Sequence, residues 1–237
     1  MVLRKLVEHF ARRNWLAVAI ELLIVVIGVF LGLQAQEWSQ QRADREREQA
    51  YIERLSADFE AIHQDLLRCR AVYRGSIEAI DTLSEALAAQ VASGAPPGEG
   101  DNSLSETLIR MTAGDIPAGR STTFVEMLST GDLGILRNSA LREALVAYDQ
   151  RAQINREIWR SLREELSGYM RPLYKHVQLD IDSDGDPTPS IAGYDLDAMS
   201  RDPGFRSMLN ALIGVKANIG ELCFAQIKLV DRARVLL

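Results

Sequence analysis

The first pattern in the chain is an unbroken apolar run near its N-terminus. Residues 15–33 are apolar except for Glu21, and these roughly 19 residues come close to the ~20 that an α-helix needs to cross a bilayer. Trp15 and Trp38 flank the run, where indole rings prefer the membrane interface. The pattern predicts a transmembrane helix over residues 15–36 that contacts the lipid bilayer, preceded by residues 1–14.

The charges beside this run predict its orientation. Four basic residues and one acid precede it, whereas the residues after Trp38 mix arginines with acids: Arg4, Lys5, Arg12 and Arg13 with Glu8 come before, and Arg42, Arg45 and Arg47 with Asp44, Glu46 and Glu48 come after. Because Lys and Arg concentrate on the cytoplasmic side, we expect residues 1–14 in the cytoplasm and residues 37–237 outside it.

Two export signals are the alternatives to a retained anchor. A cleaved signal peptide has an apolar core of about 7–15 residues and a small-x-small cleavage site. Here the core is longer, and Leu33-Gln34-Ala35 is a poor cleavage site. Arg12-Arg13 also resembles part of a twin-arginine signal. The length of the run favours the anchor.

Beyond Trp38 the apolar positions recur at alternating spacings of three and four. The stripe comprises Ile52, Leu55, Phe59, Ile62, Leu66, Cys69, Tyr73, Ile80, Leu83 and Leu87, with Ser76 in the remaining place. Such a seam predicts a helix over residues 38–92 that packs against long partners. The same register continues back into the apolar run, so the span and this helix can be one helix; a joint near Ser39 is the alternative.

The rest of the chain shows the same helical periodicity, interrupted by loops. Short helices are predicted over 103–113 and 122–130, and long ones over 139–177 and 203–237. Capping-box spacing marks the short helices at Ser103 and Thr123, Pro172 should bend the third long helix, and Asp202 with Pro203 should begin the last one. The fold class is therefore all-α: an N-terminal transmembrane helix that continues into the long helix of an antiparallel bundle over 37–237.

Two stretches resemble the recurrent segments of an uncharacterised family of bacterial single-span inner-membrane proteins, a domain of unknown function. One is Ala19–Gln34 with Trp38, and the other is Phe124–Asn138, followed by Leu141-Arg142 and Tyr148. The resemblance implies a one-span, helix-rich inner-membrane protein and assigns no activity. Ser129-Thr130-Gly131-Asp132, within the second stretch, is interpreted as a helix-to-helix turn rather than a ligand site.

The composition argues against two functional classes. A net charge of −6 speaks against binding to nucleic acid, which requires a clustered excess of Lys and Arg. His9, His63 and His176 are isolated, and neither a phosphate-binding loop nor a nucleophile elbow is present. We therefore expect no enzyme. The leading hypothesis is a membrane-anchored interaction or scaffold protein that is homo-oligomeric and has an unknown protein partner.

Two other functions stay open at this point. A small-ion pore or transport accessory would be built from several copies of the span, with Glu21 as its evidence. A one-span sensor would need a partner, because residues 1–14 leave no room for an output domain.

Three groups of residues are candidate sites. Asp180, Asp182, Asp184 and Asp186 have the alternate spacing of a calcium loop, although Ile191 stands where a bidentate Glu is expected, and a solvated acidic loop is the alternative. Cys69 and Cys223 lie on apolar helix faces; a disulfide and two buried thiols are both open. Within the span, one stripe that includes a small-xxx-small motif predicts self-association: Glu21, Val25, Gly28, Gly32 and Ala35. The alternative for Glu21 is a position near the lipid headgroups or a pair with Arg12 or Arg13.

Overall fold

Six α-helices and one β-hairpin form the part of the protein that the structure, a computed structural model, describes: residues 15–93, 102–180 and 190–237. The all-α expectation is confirmed. In chain order the elements are α1 (Trp15–Ser93), α2 (Asn102–Thr112), α3 (Thr122–Thr130), α4 (Ser139–Tyr169), β1 (Val177–Asp180), β2 (Ser190–Tyr194), α5 (Leu196–Arg201) and α6 (Pro203–Leu236). The chain divides into two units, with the boundary between Ile52 and Glu53.

The first unit contains the N-terminal part of α1. Its apolar side chains from Val18 to Leu33 are exposed, with Leu22 at 65% and Phe30 at 59% of their full accessibility. This stretch is long and apolar enough to cross a membrane. The helix is unbroken at Ser39, so the joint considered there is absent.

α6 is also long and apolar enough to span a membrane, but it has a different environment. Phe205, Leu212, Ile219 and Val230 on this helix are all fully buried. A helix whose apolar stripe packs against other helices is a core helix of a bundle. Burial thus distinguishes α6 from the exposed start of α1.

In the second unit, the seam on α1 forms part of the core of the bundle. The residues that it predicted are buried from Leu55 to Leu87, and Ile52, at the boundary, is half-buried. Beyond Ser76 this core also takes in α2, α5 and the start of α6, through Leu108, Met111, Met199, Phe205 and Leu209. The seam prediction is confirmed.

The segment that follows α2 runs back along α1. Three hydrogen bonds record its course: Ser76 Oγ donates to the Met111 carbonyl at 2.8 Å, Tyr73 Oη to the Asp115 carbonyl at 2.9 Å, and the Thr123 N–H to Asp58 Oδ2 at 2.9 Å. Residues later in this segment therefore contact residues earlier in α1. The chain therefore returns to the Asp58 end of the bundle before α4 begins.

This return sets the directions of the long helices. Tyr148 on α4 packs edge-on against Phe59 at 5.0 Å between ring centroids, and Trp159 lines the same cavity as Tyr73, so α4 runs parallel to α1. α6 runs antiparallel to α1, because Arg234 pairs with Glu60 and Cys223 lies against Cys69. The bundle is antiparallel because α6 runs opposite to α1 and α4. An alternating order of the three long helices, by contrast, would have made α1 and α6 parallel.

The end of α4 differs from the sequence-based prediction. The helix ends at Tyr169 instead of continuing to Val177, and a 3₁₀ turn, Leu173–Lys175, follows. Pro172 lies beyond the helix and does not bend it, since a residue without an N–H readily sits where the chain turns out of a helix. After the turn, β1 and β2 pair as a hairpin on either side of residues 181–189. The sequence had predicted a polar loop and no strands here.

The caps follow the sequence-based prediction at Asp202 and Gly131, but not at Ser103, which lies inside α2, nor at the start of α3. Asp202 caps α6 by accepting the Gly204 N–H, and Pro203 is the first helical residue. Gly131 ends α3 with φ at 79°, in the left-handed region where a Cβ is unfavourable. The N-cap of α3 is Ser121, which accepts the Phe124 N–H, and not Thr123.

Candidate functional site

The strap, residues 113–121, is an irregular segment between α2 and α3 that is held by side chains of the three long helices. Four of its carbonyls accept a hydrogen bond from such a side chain: Ala113 from Lys216, Asp115 from Tyr73, Ala118 from Gln226, and Gly119 from Tyr148. A buried carbonyl without a partner costs free energy. These side chains therefore allow an irregular backbone to lie against the core.

Two cavities flank the strap, on either side of Ile116 and Trp159. The smaller, of about 350 Å³, lies between residues 116–119 and α4, and Asn155, Arg156 and Arg160 contribute to its wall. The larger, of about 610 Å³, lies between Asp115 and the second half of α4. Ile116 itself is 63% exposed. We call the two together the strap cavities.

The rim of the strap cavities on α4 is basic. Arg156, Arg160 and Arg163 follow one another at spacings of four and three, which places them on one face of the helix. The Arg160 guanidinium pairs with Glu157, and that of Arg163 lies over the Trp159 ring, 5.4 Å from its centroid. Arginine and aromatic side chains are enriched in protein interfaces.

A polar network is buried beneath the smaller cavity. Asn155 Nδ2 donates to Gln226 Oε1 at 3.1 Å, and Gln226 Nε2 donates in turn to the Tyr148 hydroxyl at 3.1 Å. Burial raises the pKa of Tyr148 above its ordinary value, so it keeps its proton. Next to this network, the Arg120 guanidinium pairs with the buried carboxylate of Asp149 at 2.5 and 3.0 Å.

Lys216 is a buried cation on α6. Only 2% of the residue is exposed, its Nζ donates to the Ala113 carbonyl at 2.7 Å, and the Tyr73 ring centroid lies 5.6 Å away. Burial lowers the pKa of Lys216 to about 8, because an ammonium group loses hydration in the core.

Cys69 and Cys223 are brought together. Both are fully buried, and their Sγ atoms are 2.6 Å apart between α1 and α6. They meet although α6 runs antiparallel to α1. An alternating order of the long helices, which would have made α1 and α6 parallel, is therefore not what aligns the two cysteines.

The predicted stripe of the span lies on an exposed helix. Glu21, Val25, Gly28, Gly32 and Ala35 are all exposed along α1, and a Cβ added at either glycine would meet nothing within 4 Å. Space is thus free beside both glycines in this chain. The spacing of the stripe keeps its members on one side of the helix.

The predicted calcium loop falls largely outside the described residues. Asp182, Asp184 and Asp186 belong to 181–189, and Asp180 is the last residue of β1. Within 15–93, 102–180 and 190–237, no group of three or more His, Cys, Asp or Glu side chains is placed to hold a metal ion. Calcium binding by this loop stays a prediction.

Ser129-Thr130-Gly131-Asp132 is a turn between α3 and a 3₁₀ helix, Asp132–Ile135. The hydroxyls of Ser129 and Thr130 donate to the Glu126 carbonyl. These bonds stay within the end of α3 and serve the turn itself.

Sequence reasoning missed the strap. The signal was present in α6, where buried positions follow spacings of three and four, but two of them are polar: Leu209, Leu212, Lys216, Ile219, Cys223, Gln226, Val230 and Ala233. Lys216 and Gln226 interrupt an apolar seam, and both donate to strap carbonyls. A polar residue in a seam position indicates a buried polar partner.

Fold and site together define a helical protein whose first helix begins with an exposed apolar stretch long enough to cross a membrane. Comparisons of the chain with models of known families, with curated proteins and with solved structures found no match. Membership of the bacterial single-span family stays a prediction from the two resembling stretches.

Proposed function

We propose that this protein is a membrane-anchored, non-catalytic interaction protein of the bacterial inner membrane. Residues 15–36 cross the membrane with the N-terminus in the cytoplasm, and residues 37–237 lie in the periplasm and bind another protein. The exposure of the apolar side chains from Val18 to Leu33 carries the proposal. An exposed apolar surface of this extent is unfavourable in water and favourable in lipid.

Extraction of membranes tests the anchor. We expect the full chain to stay in the pellet after washing with alkaline carbonate, and a variant with Leu23→Arg and Ile27→Arg to move to the soluble fraction, because each arginine costs about 2.5–3.5 kcal/mol at mid-bilayer. A control with Leu23→Val and Ile27→Val should remain in the pellet. Release of the parent chain by carbonate would contradict the anchor.

The orientation is tested with single cysteines in a chain that lacks Cys69 and Cys223. Arg232→Cys lies on an exposed position of α6, and Lys5→Cys precedes the span. A membrane-impermeant maleimide added to spheroplasts should label position 232 without lysis, and position 5 only after lysis. The reverse pattern would overturn the proposed topology.

We further propose that the span self-associates through the face of Gly28 and Gly32. Small residues let two helix backbones approach closely in lipid, and Glu21 on the same stripe would then face protein rather than acyl chains. Gly28→Ile with Gly32→Ile should lower the oligomer mass in native membranes. Val26→Ile with Phe30→Ile, on the opposite face, should not. Equal assembly of both variants would place the association elsewhere.

The partner-binding surface that we propose is formed by the strap cavities and their basic rim. It suits a protein segment that combines acidic and apolar side chains, since Ile116 is exposed between the cavities and three arginines line one face of α4. A photo-crosslinking residue at Ile116 should capture one reproducible protein in cells, whereas the same residue at exposed Glu78 should not.

Charge reversal provides the control for this surface. Arg156→Glu with Arg163→Glu should abolish the crosslink at Ile116 and leave the amount of folded protein unchanged, because both arginines are exposed. A crosslink that persists in this variant, or one that also forms from Glu78, would contradict the proposed surface.

A further inference from the structure

Cys69 and Cys223 are placed for a covalent bond. Both side chains are fully buried, one on α1 and one on α6, and 2.6 Å separates their Sγ atoms. An S–S bond measures 2.03–2.05 Å, so about half an ångström of side-chain movement is enough to form it. The two positions are 154 residues apart in sequence.

We propose that Cys69 and Cys223 form a disulfide that locks the last helix of the bundle to the first. The inference rests on the proposed function in one respect, since a stable disulfide requires an oxidising compartment outside the cytoplasm. Its geometric basis lies entirely in the second unit.

The surroundings of the two thiols favour this use over metal binding. Leu66 on α1 and Ile219 on α6, one helical turn away from Cys69 and Cys223, are fully buried and apolar. A structural zinc site needs four ligands, and the described part of the chain places no third His, Cys, Asp or Glu with this pair.

The bond forms by exchange with a disulfide of a periplasmic thiol oxidase. One thiol loses its proton, and the resulting thiolate attacks the oxidant's disulfide, releasing one oxidant thiolate and leaving a mixed disulfide. The second thiolate attacks the protein sulfur of that mixed disulfide and expels the other oxidant sulfur. The oxidant leaves as a dithiol that has taken up two electrons and the two protons.

Burial dictates when this exchange takes place. In the reduced, folded protein both side chains are fully buried, so neither sulfur is accessible to an oxidant. Exchange must therefore occur before α6 closes on α1. Once formed, the bond is shielded from reductants in the same way.

The consequence is a covalent bond between the first and the last helix of the bundle. The strap, α3 and α4 all lie between Cys69 and Cys223 in sequence, so the disulfide closes one long loop around them. Cross-linking a loop of this length removes conformational freedom from the unfolded chain. The tie keeps α6 in place, and with it the side chains that hold the strap.

Alkylation of acid-quenched cells tests the bond in the full-length protein. After denaturation, the parent chain should take up no maleimide-polyethylene glycol without reductant and two equivalents after reduction. Mass spectrometry of an unreduced digest should show the peptides of Cys69 and Cys223 joined. Uptake of two equivalents without reductant overturns the proposal.

The Arg232→Cys reporter separates this failure from failure of the proposed location. If position 232 is labelled from the periplasm in the reporter chain, and Cys69 and Cys223 are free in the parent chain, the disulfide alone is wrong. If position 232 is protected and the thiols are free, both proposals are wrong.

A thermal comparison checks the tie independently. Parent protein that is made in cells lacking the periplasmic thiol oxidase and purified in detergent with reductant should unfold at a midpoint roughly 5–15 °C below that of the oxidised protein. The variant Cys69→Ala with Cys223→Ala should show the lower midpoint with and without reductant. An equal midpoint for oxidised and reduced parent protein would contradict a bond between these residues.

Discussion

The Nζ of Lys216 donates to the carbonyl of Ala113 at 2.7 Å inside the bundle. This bond joins α6 to the first residue of the strap, and it places a cation where only 2% of the residue is accessible to solvent. The strap carbonyl gains a partner, and the cost is the lost hydration of the ammonium group.

Lys216 should make the stability of the protein depend on pH. Its pKa of about 8 in the folded state lies below the ordinary 10.5, so between these values the unfolded chain binds more protons and stability rises with pH. The full effect is roughly 3 kcal/mol. Urea unfolding at pH 7.5 and 9.5 should show the rise in the parent chain and not in Lys216→Met.

Lys228→Met is the matched control, because Lys228 is exposed on the same helix. It should retain the rise. The comparison stays below pH 10 because of Tyr73. Burial raises the pKa of Tyr73 in the folded protein. Above the ordinary tyrosine pKa of about 10, this shift lowers the stability as the pH rises and would oppose the contribution of Lys216. Identical slopes for Lys216→Met and the parent would contradict the prediction.

Asp58 should contribute far more stability than Asp65, two turns along the same helix. Asp58 accepts hydrogen bonds from Ser121 Oγ at 2.7 Å and from the Thr123 N–H at 2.9 Å, which tie α3 to α1. Asp58→Ala should cost about 1–3 kcal/mol by leaving these donors without a partner. Asp65→Ala removes only an exposed ion pair with Arg68 and should cost less than about 1 kcal/mol.

The contribution of Asp58 should also vanish in acid. Burial raises the pKa of Asp58, but the hydrogen bonds from Thr123 and Ser121 outweigh it and leave the pKa below its ordinary value. The stabilisation is therefore present above about pH 4 and is lost as the pH falls through the folded-state pKa. Chemical unfolding of the parent and Asp58→Ala should differ at pH 7 and converge towards pH 2.

Arg120 should contribute strongly to the stability of the fold because of its buried partner. Asp149 is 4% exposed and pairs with the Arg120 guanidinium, so Arg120→Ala should cost about 3 kcal/mol by leaving a buried carboxylate without its cation. Asp149→Asn in the same chain should recover part of the loss. Arg160→Ala, which breaks an exposed pair with Glu157, should change the free energy of unfolding by under about 1 kcal/mol.

Gly131 should tolerate substitution worse than Gly134, three residues further on. Its φ of 79° lies in the left-handed region, whereas the φ of Gly134 is not positive and a Cβ there would meet nothing within 4 Å. Gly131→Ala should lower the free energy of unfolding by roughly 1 kcal/mol, and Gly131→Asn by less, because Asn enters this region more readily. Gly134→Ala should stay within about 0.5 kcal/mol, and equal losses at both positions would contradict this account.

Much of the fold could be predicted because its signals are local. The apolar run before Leu33, the seam from Leu55 to Leu87 and the Asp202-Pro203 cap each depend on residues a few positions apart. The errors occurred where a local signal was ambiguous. Periodicity continued past Tyr169 into a 3₁₀ turn and a hairpin, since apolar residues such as Leu173 and Val177 remain buried after the helix has ended.

The candidate site could not be predicted from the sequence, because its parts are far apart along the chain. Lys216 and Ala113 are separated by 103 positions, and Gln226 and Ala118 by 108. The sequence showed two polar residues in an apolar seam of α6, but not what they bind. Their partners are backbone carbonyls, which every residue has, so no side-chain pattern could identify them.

The sequence by itself determined that the chain is helical, that an apolar stretch opens its first helix, and which face of each long helix is apolar, because these properties follow from the order of neighbouring residues. Only the tertiary structure decided that the strap returns the chain to the Asp58 end, that α4 is parallel and α6 antiparallel to α1, and that Cys69 meets Cys223. Helix direction and contact depend on how the intervening segment packs. A periodic stripe specifies which face is buried, but not which helix covers it or in which direction that helix runs.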